Sequence, residues 1–272
     1  MVNKLAVAEL PPILFIAARF VLVAAFLVPF VPSPRGHWRQ IAVLSFTLGC
    51  LHFSLILTGL KLVPASTVVL ITQLQVPFAA ILAALFLRDR LGWRRLSGMV
   101  LAFGGVGVVL GFPDLDAPWW AELLVVGSAF CWALAAIQIK WLGSGVSGNT
   151  INAWTALLAV PQLLLASWLL EGDQWGSVLQ ISWLAVGAIV YNAVAVVAVG
   201  YGVWYHLLKT YDVNQTMPFT LLILPLALLF TGLVLEEPLT WWLAGGSLLT
   251  ITGVAIIVLR RPRHAGPEVG RA

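Results

Sequence analysis

The sequence predicts an all-α integral membrane protein, a ten-helix bundle built from two inverted five-helix repeats. Three observations carry that prediction. First, 61% of the residues are hydrophobic and only 10% charged, with a mean hydropathy of +0.98. Soluble domains carry roughly 25% charged residues, so this chain cannot cover a water-facing surface. Second, residues 61–110 align on residues 209–258 without a gap, 148 positions apart. Lys61 falls on Lys209, Pro77 on Pro225, Leu87 on Leu235, Asp89 on Glu237, Trp93 on Trp241, Gly98 on Gly246 and Gly105 on Gly253. Third, the loop charges alternate in sign along the chain. An apolar chain that repeats itself in this way is most often a transporter of two halves.

The elements follow in order. A span needs about 20 mostly apolar residues. Such runs are read at 12–30, 39–60, 65–87, 92–112, 118–141, 149–170, 180–206, 212–234 and 239–259. Short Gly, Pro and charged turns join them, and no linker is long enough to separate soluble domains. The offset between the repeats covers an odd number of spans, so the halves sit upside down relative to each other. That places a binding site between them near the bilayer midplane. The second half has five runs, whereas the first has four, preceded by the stub 1–8. Aligning Lys4 with Lys140 puts the start of the stub's counterpart before Met1. The expectation is therefore that most of a first helix is absent from this chain. The expected organisation is a first repeat over 1–112, a second over 118–259 and a cytoplasmic tail over 260–272.

The charges set the orientation. In the ten-helix reading one side of the membrane holds Arg35, Arg39, Arg88, Arg90, Arg94, Arg95, Lys140, Lys209, Arg260, Arg261, Arg263 and Arg271, twelve of the 15 Lys and Arg. The other side holds Lys4 and Lys61, together with eight of the 11 acids. Cytoplasmic loops favour Lys and Arg, so the basic side faces the cytoplasm and the C-terminus lies inside. The sequence pI near 9.4 is thus an orientation signal, and nucleic acid is excluded as a partner. The turn at 88–95 is inside while its repeat counterpart at 236–242 is outside, as inversion requires. The N-terminus shows no signal peptide. Cys50 and Cys131 sit within apolar runs as packing residues, with no metal or disulfide pattern.

Three stretches carry a family resemblance: Ala17-Ala-Arg-Phe in the second helix, Leu87-Arg-Asp-Arg-Leu-Gly-Trp through Gly98, and Leu235-Glu-Glu-Pro-Leu-Thr-Trp through Gly246. Cys131-Trp132 to Lys140 resembles the family's Trp-Gly…Lys helix opening in its second copy. On these residues the chain resembles the drug/metabolite transporter superfamily, specifically its EamA family. Within that family it is most similar to bacterial amino-acid exporters of the aromatic and the cysteine/O-acetylserine kind. The resemblance implies ten helices and efflux of small metabolites across the bacterial inner (plasma) membrane. Two departures stand out. The first-copy Trp-Gly-x-Asn stretch is absent, and Asp89 and Pro238 replace the usual Glu and Arg.

Candidate site residues are polar groups placed deep in spans, where they are costly unless they face a cavity or one another. Thr72, Gln73 and Gln75 lie mid-helix in the fourth span, with Thr72 and Gln75 on one face at i,i+3 spacing. An amide both donates and accepts, which suits a zwitterionic amino acid. The competing role is an interhelical hydrogen bond that only holds helices together. His52 has two open roles, a proton-linked step or a neutral bond to a neighbouring helix. The eighth span carries Asn192, Tyr201, Trp204 and Tyr205, suited either to walls for amino-acid side chains or to an interfacial belt. Trp132 and Gln138, in the sixth helix, are read as cavity wall or as packing. Pro77 and Pro225 are paired candidate hinges, each able to kink its helix. Gly107-x-x-x-Gly111 offers a weak small-residue match for close helix approach.

No Asp or Glu lies mid-span, which disfavours the buried-carboxylate mechanism of small proton-driven multidrug pumps. An intramembrane enzyme is a remote alternative, because there is no His-Glu-x-x-His, no paired carboxylates and no Ser linked to a His. A drug or nucleotide-type carrier of the same superfamily stays open. A nucleotide needs deep bases, and Arg19 is the one base within a span, with packing or pairing within the bundle as its other role. The expectation is an exporter of amino acids or related metabolites working by alternating access. Its partners are a small-molecule substrate and the lipid bilayer, it needs no cofactor, metal or catalytic residue, and it is a monomer or homodimer.

Overall fold

The computed structural model describes residues 2–87, 92–111, 118–143, 145–172, 176, 181–201, 223–235 and 240–259. Among these, every regular element is a helix. A short helix α1 (Val2–Glu9) precedes α2 (Pro12–Leu27), α3 (Trp38–Leu62), α4 (Ala65–Leu87), α5 (Trp93–Leu110), α6 (Trp119–Leu142), α7 (Gly148–Leu170), α8 (Trp183–Tyr191), α9 (Ile223–Val234) and α10 (Trp241–Val258). A tighter turn extends α2 to Phe30. Seven of the helices, α2 to α7 and α10, are long and apolar enough to cross a membrane. The expected spans over 180–206 and 212–234 extend beyond the described residues, which hold α8 and α9.

Local chemistry sets the helix ends. Ser147, Ser182 and Thr240 each accept a hydrogen bond from the backbone N–H three residues on, opening α7, α8 and α10. Such side-chain caps satisfy donors that the first turn leaves unpaired. Pro12 begins α2, where its missing N–H costs nothing. Gly143, at φ +69°, turns the chain away from the end of α6. Lys4 donates to the carbonyls of Leu60 (2.6 Å) and Val63 (2.7 Å) at the end of α3, where a cation meets the negative end of the helix.

The counterparts of the two halves pack against each other. On α5 and α10, a Cβ added at Gly98 would lie 2.7 Å from the Gly253 carbonyl oxygen, and one at Gly105 would lie 2.5 Å from that of Gly246. Position 98 thus meets the repeat mate of 105, and 105 meets the mate of 98. Contacts exchanged in this way define a two-fold relation, and the crossed numbering makes the helices antiparallel. Glycine is required here because each backbone stands where the other's side chain would be. The Gly107-x-x-x-Gly111 expectation fails. A Cβ at Gly107 meets nothing within 4 Å, and one at Gly111 meets only carbonyls of its own helix.

α2 and α7 form the second antiparallel pair. Glu171, just past the end of α7, accepts from the N–H groups of Ile13 (2.7 Å) and Leu14 (3.0 Å) in the first turn of α2, and from the Ser167 hydroxyl at 2.7 Å. At the other end Trp154 Nε1 donates to the Pro32 carbonyl at 2.9 Å. Glu171→Ala orphans two N–H groups at a helix N-terminus, so it is expected to destabilise the protein by about 1–3 kcal/mol. Glu171→Gln, which keeps an acceptor, is expected to cost less. Thermal unfolding of the purified protein measures both.

Each half also loosens at one place. Within α3, Ser45–His52 winds in wider turns, with backbone bonds reaching five residues back, and α8 continues in the same way over Asn192–Tyr201. The 148-residue offset lays the first segment on 193–200. Wide turns of this kind inside α-helices recur at functional sites. α4 is interrupted where Gln73, Leu74 and Val76 bond only three residues back. The cause is Pro77, which has no N–H and whose ring displaces the Gln73 carbonyl. Its counterpart Pro225 lies near the start of the described part of α9.

Candidate functional site: a cation and two cavities between the halves

Arg19 lies in the middle of α2 and is only 4% exposed. A charged side chain at mid-membrane costs about 2.5–3.5 kcal/mol on insertion scales, so its surroundings must compensate. Its guanidinium carbon stands 4.9 Å from the ring centre of Phe53 and 5.6 Å from that of Phe20. A cation over an aromatic face recovers about 0.5–2 kcal/mol. Phe20 and Phe53 meet edge to face, with centres 5.3 Å apart.

The guanidinium opens on a small cavity of about 40 Å³. Phe20 and Val23 of α2, Leu48 and Phe53 of α3, Trp132 of α6, and Asn152, Thr155 and Ala156 of α7 line it with Arg19. Two of these helices come from each half, so the cavity lies between the repeats. Thr155 is buried, and its hydroxyl has no hydrogen-bond partner among the described residues. Asn152 and Thr155 share a face of α7 at i,i+3 spacing.

A second cavity, of about 240 Å³, is larger. α3 lines it with Phe53, Ile56, Leu57 and Leu60, α4 with Ala65, Val68, Val69 and Thr72, α9 with Ala227 and Thr231, and α1 with Asn3. The two cavities occupy successive stretches of α3. The first reaches from Leu48 to Phe53, towards the end near Arg39, and the second from Phe53 to Leu60, towards Lys61. Phe53 lines both and stands at their boundary.

The expected site residues fall into three groups. Trp132 and Thr72 line cavities, and His52 flanks the first. Its ring centre is 4.8 Å from Phe53 and 5.0 Å from Trp132. Nδ1 of His52 lies 2.9 Å from both the carbonyl and the hydroxyl oxygen of Ser128. The carbonyl can only accept, so Nδ1 carries a proton and ties α3 to α6. In the second group, side chains bond to neighbouring groups. Gln138 donates to the Thr47 hydroxyl at 3.1 Å, and Asn192 to the Ala188 carbonyl at 2.9 Å. Gln73 is buried and Gln75 half-buried at the break in α4; neither lines either cavity. In the third group, Trp204 and Tyr205 lie outside the described residues, and Tyr201 is described in its backbone alone. Sequence reasoning missed Phe20, Phe53, Asn152 and Thr155 as site residues. The Asn152/Thr155 polar pair on one face of the seventh span was the available signal.

Comparison with known proteins adds to this geometry. The sequence model of the EamA-like transporter family matches residues 1–111 and 119–259. The chain is 29% identical to the "probable amino-acid metabolite efflux pump" of Escherichia coli K12, over 99% of this chain and 93% of that protein. The protein of the same description from Salmonella typhimurium is also 29% identical, over 95% of this chain and 89% of its own length. A riboflavin transporter of Vibrio cholerae is 34% identical over 67% of this chain and 56% of its own. One crystal structure superposes with a TM-score of 0.63 at 20% identity, covering 95% of this chain and 93% of the other; it supports the fold alone.

Proposed function

The chain belongs to the EamA-like transporter family and is a multi-pass membrane transporter of small metabolites, not an enzyme; we propose that it exports amino acids or closely related metabolites by alternating access. The observation that carries this reading is the cavity between the halves, where a cation, a free hydroxyl and aromatic walls converge. Such a set suits a small solute with one ionised end and an apolar body. The relatives described as amino-acid metabolite efflux pumps support the direction and the class of cargo. Two antiparallel halves around a central site are the architecture on which rocking between inward- and outward-open states operates.

The membrane in this reading is the bacterial inner membrane, with the basic loops and the C-terminus in the cytoplasm. Phe53 then separates a cytoplasmic-side cavity from a larger one facing outward. His52 serves as a tie between α3 and α6 beside the site, and Trp132 as one of its walls. Cells overproducing the protein are expected to release more amino acid into the medium than cells carrying the empty vector, and Trp132→Ala to remove most of that excess. An unchanged amino-acid profile at full membrane expression sinks the reading.

A further inference from the structure

We propose that the larger cavity receives the side chain of the transported solute, so that the carrier prefers a bulky uncharged side chain and shuts out charged ones, with Ala227 of α9 setting how bulky that side chain can be. The inference rests on the exporter reading and names the part of the cargo that this cavity selects.

Phe53, Ile56, Leu57 and Leu60 form one stripe along α3, and Ala65, Val68, Val69 and Thr72 form one along α4, each at i, i+3, i+4, i+7 spacing. Stripes of this kind normally close against a neighbouring helix. Here they and α9 leave about 240 Å³ between them, whereas packed interiors leave few spaces larger than a water molecule. The volume fixes a size class. A cavity of about 150 Å³ lined by Leu, Ile and Phe takes up one benzene ring, and drug-sized ligands occupy about 300–1,000 Å³. The space therefore fits a phenyl, indole or branched alkyl side chain and falls short of a flavin.

The lining chemistry fixes the charge. Among the described residues that line the cavity none is charged, so a cationic side chain finds no counter-charge there. Thr72 Oγ1 donates to the Val69 carbonyl at 2.8 Å and Thr231 Oγ1 to the Leu228 carbonyl at 3.0 Å. Both hydroxyls thus present only lone pairs to the cavity, and an anionic side chain meets acceptors where it needs donors. Asn3 is a second, independent observation. It lines the same cavity, and its Oδ1 is buried with no hydrogen-bond partner among the described residues, so it can accept one N–H or O–H from a neutral side chain. Ala227 lies one turn before Thr231 on the same face of α9, where a larger residue would fill the space from the second half.

The test is thermal stabilisation of the purified full chain by L-phenylalanine, L-leucine, L-alanine, L-lysine, L-glutamate, riboflavin and the neutral alcohol 3-phenylpropanol. L-phenylalanine and L-leucine are expected to stabilise the parent at concentrations at least tenfold lower than L-alanine, L-lysine or L-glutamate, because a well-placed methylene in an apolar pocket is worth about tenfold or more. Ala227→Leu is expected to abolish the preference for L-phenylalanine over L-alanine, a change of ranking that a merely structural loss would not produce. If that variant does not fold, the ranking on the parent and on Ala227→Val, expected to lose part of the preference, still decides. L-alanine or L-lysine binding as tightly as L-phenylalanine overturns the proposal, and a cavity held by lipid or detergent gives that result. A folded Ala227→Leu protein that keeps the parent's ranking overturns it too, as does stabilisation by riboflavin alone. Binding of 3-phenylpropanol that Ala227→Leu removes, in a protein that no amino acid stabilises, would uphold the cavity's selectivity and refute the amino-acid reading instead.

Discussion

Gly105→Ala and Gly253→Ala are each expected to destabilise the carrier by about 1–3 kcal/mol, and Gly105→Leu to abolish folding. Small-to-large changes usually find room by moving a side chain, but these sites offer none. A Cβ at position 105 would meet the Thr250 hydroxyl, the Gly246 carbonyl oxygen at 2.5 Å and the Thr250 nitrogen at 2.7 Å. One at position 253 would meet the Ala102 nitrogen and the Gly98 oxygen, both at 2.5 Å. Because most of these atoms are backbone, relief requires separating α5 from α10, a seam between the halves. The two positions are repeat mates, so their costs are expected to be alike. Gly104→Ala and Gly107→Ala are the controls, since a Cβ there meets nothing within 4 Å. Alanine favours a helix over glycine by up to about 1 kcal/mol, so the controls are expected to be neutral or stabilising. Thermal unfolding in detergent checks all five variants.

The second large effect is expected at Phe53. Phe53→Ala removes the ring that stands between cavities of about 40 and 240 Å³ and that carries the Arg19 guanidinium. Phe53 is half-buried against the core, so its truncation is expected to cost less than the about 3–5 kcal/mol of a fully buried phenylalanine, and loss of the cation–π contact adds to it. With the cavities joined, vesicles holding the variant are expected to leak a trapped amino acid that the parent retains. Phe53→Leu, which keeps an apolar stem in place, is expected to leak less and lose less stability. A Phe53→Ala protein that retains its contents as the parent does would show that other groups close the path.

Much of this architecture can be read in the sequence because it is repeated. The 148-residue offset, the crossing of loop charges and the matched glycines all follow from one physical fact, that two copies occupy opposite orientations in the same bilayer. The glycine pairing itself was harder to see. Gly107 and Gly111 have the spacing of a helix contact, whereas the working contact uses Gly98 and Gly105, seven residues apart, each against the other's repeat mate. Spacing along one helix does not say which face meets a partner.

The site was legible only in part, for a related reason. A polar residue deep in a span must be satisfied, but either a substrate or a neighbour can satisfy it. Gln138 and Asn192 found protein partners, Thr47 and the Ala188 carbonyl. Thr155 has no such partner among the described residues, yet in sequence a threonine among alanines and leucines looks like packing. Phe53 is an ordinary apolar residue until two cavities are seen to share it. Arg19 is visible in the sequence as the one base within a span, but that it lines a cavity shows only in the structure.

The most direct test of the account is uptake of a panel of labelled amino acids into liposomes holding the purified protein. The account predicts saturable uptake of at least one of them, inhibited by the unlabelled compound and reduced in Trp132→Ala. Folded protein that takes up none of the amino acids, while carrying riboflavin or another solute, would contradict it.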